Sequence, residues 1–131
     1  QALLTVLAAK LQARMNDVIT QVYRMDATTG AWWNLDPSTG RILFGLPWAE
    51  FSHRTWGLVR SECDIMRMCV RHFRKIHNGP FYFDKTTRRW LLDIAAYPTL
   101  DHVRANPAAW TVTPSLILAA DNHRRGVPHQ A

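Results

Sequence analysis

The chain has 131 residues, 47% of them hydrophobic and 20% charged, and carries a formal net charge of +6. That length allows one domain with a core of its own and no disulfide staples, the composition excludes a disordered or collagen-like chain, and no apolar run approaches the ~18 residues of a membrane span. A pI of about 10.0 points to acidic partners such as nucleic acid or an anionic surface, and says nothing about fold.

Residues 1–9 are apolar but lack a basic leader and a small-residue cleavage site, which argues against a signal peptide. Leu3, Leu4, Leu7, Leu11, Met15, Val18 and Val22 recur at spacings of three and four, predicting an amphipathic helix over residues 2–21. Two turn segments ten residues apart follow, Asp26 to Ala31 and Asp36 to Arg41, each with an Asx start and a glycine where a hairpin needs positive φ. The flanking stretches Gln21–Asp26, Trp32–Asp36 and Arg41–Leu46 are short and rich in aromatic or branched residues, so they predict a three-stranded antiparallel meander. The six tryptophans are expected in or bordering the core.

Pro47 opens a second helical region, Trp48 to about Arg60. A break then separates it from a strongly amphipathic helix beginning at Ser61, with Ser61 as N-cap and Asp64 closing a capping box. An unbroken helix would leave Glu62 in the middle of the apolar face, which is costly for an unpaired carboxylate. Ile65, Met66, Cys69, Val70, Phe73 and Ile76 form the expected buried face, and Arg60, Asp64, Arg67, Arg71, Arg74 and Lys75 collect in the opposite arc. Asn78-Gly79-Pro80 ends the helix. Phe81–Phe83 and Trp90–Ile94 are the expected strands of a hairpin with the basic tip Lys85-Thr86-Thr87-Arg88-Arg89. A short helix capped by Thr99 (Leu100–Ala105), a last helix from Thr113-Pro114 to Gly126 and a loose tail over 127–131 complete the chain.

The whole reads as a single α+β domain over residues 1–126: an N-terminal helix on the meander, the central amphipathic helix followed by the basic hairpin, and short closing helices. Helix, sharp turn, strand, basic tip, strand is the order of recognition helix and wing, so the arrangement is winged-helix-like. From Arg67 to Arg89 seven basic residues face one acid, Asp84. The sequence therefore predicts a non-enzymatic nucleic-acid-binding domain, DNA ahead of RNA, with backbone phosphates held by Arg67, Arg71, Arg74 and Lys75 from the helix. From the hairpin come Lys85, Thr86, Thr87, Arg88 and Arg89. No Asn or Gln stands on the exposed helix arc to read adenine, which implies limited sequence specificity. The rival is a protein-interaction or assembly module, a homodimer through the aromatic sheet being one form of it, with the basic face meeting an acidic protein.

Enzymatic and metal chemistry find less support. Ser52-His53, Asp101-His102 and Asp121-Asn122-His123 are the candidate pairs, and none lies in a catalytic motif. Cys63, Cys69, His72 and His77 spread over half a helix circumference and cannot close one tetrahedral site, and no cofactor is implied. The two cysteines lie about 9 Å apart along the helix axis, too far to bridge. Free buried thiols fit an intracellular, reducing compartment, cytoplasm or nucleus.

Overall fold

A computed structural model describes residues 2–24, 33–35, 42–44, 57–86 and 88–127. The alanine- and leucine-rich N-terminus forms α1, Ala2–Arg24. The β-branched pair Val18-Ile19 does not end it, because both side chains are buried in the core and tertiary packing overrides weak local propensity. The next turn is tied down as well, with the Tyr23 hydroxyl donating to the Tyr97 carbonyl at 2.7 Å. Burial, with Tyr97 and Asp93 adding to it, holds that hydroxyl's pKa well above its ordinary value. The strand expected from Gln21 is thus helix up to Arg24. The predicted stripe is also shortened: Leu11, Met15 and Val18 are fully buried, whereas Leu3 is 85% exposed and lies outside the core.

The second long helix, α2, spans Arg60–His77. The chain before it is not helical from Gly57 to Val59, so the expected break is present, but the cap differs. Val59 is the N-cap and Glu62, rather than Asp64, is the acid at the third helical position, accepting from Val59 N at 3.1 Å. Glu62 is tolerated on this face because Lys10 of α1 reaches it with contacts of 2.8 and 3.0 Å. Cys63, Ile65, Met66, Cys69, Val70 and Phe73 are buried. Ile76 is 58% exposed, contrary to the expected face, since Phe73 is the last of the stripe to meet the core before the chain reverses at Asn78. There Asn78 takes the left-handed conformation at φ 52, and Gly79 N donates to Phe73 O at 3.0 Å.

The sheet is antiparallel and mixes near and distant segments. β1 (Trp33–Leu35) pairs with β2 (Ile42–Phe44), β3 (Phe81–Asp84) with β4 (Arg89–Leu92), and β2 joins β4 through Ile42↔Leu92 and Leu43↔Leu91. The resulting order is β1-β2-β4-β3. Of the expected three-stranded meander, Gln21–Arg24 is helix while Met25 and Asp26 lie outside the described residues, and the described parts of the other two stretches pair with each other as β1 and β2 and join the hairpin through β4. β4 also ends before Ile94: Asp93 N still donates to Pro80 O at 2.9 Å, but its carboxylate accepts from Ala96 N and its carbonyl from Tyr97 N, which turns the chain. The expected helix from Trp48 falls mostly outside the described residues.

Three short elements close the core. They are α3 (Leu100–Arg104), a 3-10 turn (Pro107–Ala109) and α4 (Pro114–Arg124). Thr113 caps α4 through its hydroxyl oxygen, which accepts from Leu116 N at 3.1 Å, and Pro114 fills the first helical position. α4 packs against both α1 and α2. Among the described residues, no helix is long and apolar enough to cross a membrane.

A basic cleft as the candidate functional site

The amphipathic spacing of α2 turns Arg67, Arg71, Arg74 and Lys75 away from the core, and two further elements rise beside them. The β3–β4 hairpin contributes Tyr82, Phe83, Lys85 and Arg88. On the other side α4 contributes Leu116, Ala119, Ala120 and His123. Together with Met68, Val70 and His72 these residues enclose a cleft of about 800 Å³. Among the described residues, six Lys or Arg side chains line it and no carboxylate does. Arg67, Arg71, Lys75, Lys85 and Arg88 make no ion pair among the described residues. A dense set of like charges held without counter-charges is unfavourable for the isolated fold and favourable for a polyanion.

The hairpin tip is shaped by Asp84, the one acid the sequence places in this window. Its carboxylate accepts from Thr86 N at 2.9 Å and its carbonyl from Arg88 N at 2.8 Å. Arg88 is held at φ 57, the left-handed region that favours glycine. The tip thus presents Lys85 and Arg88 on the cleft. Thr86 is exposed and is not among the lining residues; Thr87 and the side chain of Arg89 lie outside the described residues.

Arg74 has a different setting from its helix neighbours. Its Nη1 donates to the Gly79 carbonyl and to Asp93 Oδ2, each at 3.1 Å, and the guanidinium lies 4.6 Å from the centroid of the Tyr82 ring. The charge is balanced locally, and the residue fastens α2 to the base of the hairpin. Arg67 departs in another way: its Nε is buried with no hydrogen-bond partner among the described residues, an arrangement that destabilises a fold by about 1–3 kcal/mol.

Sequence reasoning missed the apolar and aromatic half of the cleft. Tyr82 and Phe83 are adjacent strand residues whose part in a site depends on α2 packing beside them. The α4 wall has no local signal, for an alanine pair in a helix reads only as propensity. His123, which the sequence offered as part of a candidate catalytic group, also lines the cleft.

Two of the candidate catalytic pairs are not assembled, and the third, Ser52-His53, lies outside the described residues. His102 Nδ1 meets Thr99 Oγ1 at 2.6 Å rather than Asp101, and Asp121 pairs with Arg124 and Arg125 rather than His123. Burial pushes the Cys69 thiol up to about 12, and the Cys63 thiol donates to Leu58 O. Among the described residues no three His, Cys, Asp or Glu side chains converge as a metal site would require. Trp32, Trp48 and Trp56, on which an aromatic interaction patch would depend, lie outside the described residues. No protein-family model, curated protein or solved structure matches the chain.

Proposed function

We propose that this chain is a non-enzymatic nucleic-acid-binding domain whose ligand lies in the cleft between α2, the β3–β4 hairpin and α4. The observation that carries the reading is the lining: among the described residues, six cations converge from two elements with no carboxylate beside them. Such a surface meets a phosphate backbone, where each neutralised phosphate releases condensed counterions and raises affinity. The finer, winged-helix-like reading draws support from chain order. β2 precedes α2, β3 and β4 follow it, and β4 lies between β2 and β3 in the sheet, so that helix and hairpin tip flank one surface.

The test is a salt titration with labelled oligonucleotides, single-stranded and duplex, beside polyglutamate as a polyanion without bases or phosphates. Five phosphate contacts predict a log–log salt slope of about −3 to −5. Arg71→Glu/Lys75→Glu and Lys85→Glu/Arg88→Glu should each weaken binding at least tenfold while leaving the fold intact. If polyglutamate competes as well as any oligonucleotide, or neither double reversal matters, the reading fails and the basic arc is a solvated surface.

A further inference from the structure

We infer that the cleft takes a single strand with one or two unstacked bases, and not a duplex. This inference rests on the nucleic-acid reading above and concerns which form of nucleic acid fits. A helix that reads duplex DNA must project into a major groove about 12 Å wide. Here the cationic face of α2 is the floor of a trench, with the hairpin on one side and α4 on the other. A convex duplex meets the rims of such a trench and not its floor. A flexible strand can follow it.

The chemistry of the lining agrees with the shape. A volume of about 800 Å³ is in the range of pockets that enclose small organic groups, far more room than phosphate oxygens alone require. Met68, Phe83 and Leu116 are half-buried and supply apolar surface for base faces beside cations such as Lys75 and Arg88. That combination, a positive groove with apolar and aromatic platforms, is how single strands are held without base-specific hydrogen bonds. Two of the four α4 residues that line the cleft are alanines, and Ala119 is exposed on it. A larger side chain there would fill the space without touching the charge or the core.

The experiment compares single strands, DNA and RNA, with duplexes of the same length and sequence, for wild type and for Ala119→Trp, with thermal unfolding as the check on folding. Single strands should bind wild type at least tenfold more tightly than duplexes. Ala119→Trp should lower single-strand affinity tenfold or more while leaving the unfolding midpoint in place. Should the tryptophan disturb folding, Ala119→Glu, a smaller side chain carrying a charge that opposes phosphate, replaces it with the same expectation for single strands. Duplexes bound as tightly as single strands, or a folded Ala119 variant that binds single strands like wild type, would overturn the inference and leave the nucleic-acid reading standing. Failure of every oligonucleotide to bind would remove both.

Discussion

Arg74 and Asp93 meet at 3.1 Å where the turn after α2 lies against the end of β4. The pair is partly buried, with side-chain exposures of 30% and 15%, and it is not isolated: Arg74 also holds Gly79 O, and Asp93 also holds Ala96 N. Of the cations on the α2 arc, this one therefore acts on the shape of the cleft rather than as an open charge. Arg74→Met, which keeps the stem and removes the charge, should destabilise the fold by about 1–2 kcal/mol. Lys75→Gln, one residue on and exposed, should change stability by under ~0.5 kcal/mol and lower the salt slope of binding by about one contact. Urea titrations of both variants check the contrast, and a stable Arg74→Met protein would show that the pair does not hold the hairpin.

Gly79 is needed for space. A Cβ built there would stand 2.8 Å from the Ala109 carbonyl oxygen and 3.1 Å from Phe73 Cβ, between α2 and the 3-10 turn, and the closer neighbour is backbone that cannot rotate away. Gly79→Ala should destabilise by about 1–3 kcal/mol, seen as a lower urea midpoint with an unchanged m-value. No loss of stability would mean that the 3-10 turn gives way more readily than its packing against Phe73 suggests.

Periodicity carried the sequence reading as far as local physics reaches. The stripe of α2, its stop at Asn78-Gly79, the basic hairpin and the Thr113-Pro114 start of α4 all follow from spacing and cap chemistry, and so does the basic arc that became the cleft floor. What could not be read depends on partners distant in the chain. Gln21–Arg24 is helical because Ile19 and Tyr23 dock on the core, and Glu62 is neutralised by Lys10 of another helix. β2 finds β4 across a long connection instead of completing a local meander. The α4 wall that makes the basic surface concave belongs to the same class, for Ala119 and Ala120 become functional candidates only once α4 stands beside α2.

The Lys10–Glu62 pair predicts a pH dependence of stability. Burial alone would raise the Glu62 pKa, but the hydrogen bonds from Lys10 and Val59 N and the charges of Lys10 and Arg14 outweigh it and hold the carboxyl below its ordinary value. A group whose folded pKa is depressed contributes stability above its unfolded pKa, near 4.3, and that contribution is lost as pH falls through the lower folded value. Glu62→Gln should therefore lower stability near neutrality by about 1 kcal/mol. Wild type and variant should converge as pH drops below about 4, and added salt should narrow the gap at neutral pH because Lys10 is 44% exposed. Parallel urea midpoints across the whole acid range would exclude this role.

Under the proposed function, Arg88 sets stability against binding at a single position. It is held at φ 57 at the hairpin tip, where a non-glycine residue is disfavoured by about 1–2 kcal/mol, and its side chain lines the cleft. The two earlier turn segments in the sequence carry Gly30 and Gly40 at the matching place. Arg88→Gly relieves the backbone, offset in part by the greater freedom of glycine in the unfolded chain, and should raise stability by about 0.5–1 kcal/mol. Under the proposed function the same change would remove a phosphate contact, and it should weaken oligonucleotide binding severalfold with a shallower salt slope. Arg88→Lys separates the two effects: it keeps the charge and the strained backbone, so it should bind nearly as well as wild type with no gain in stability. Thermal unfolding and salt titrations on the three proteins decide the matter. If the glycine variant binds as tightly as wild type, the arginine is not there for the ligand, and the strain at the tip has no counterpart in the cleft.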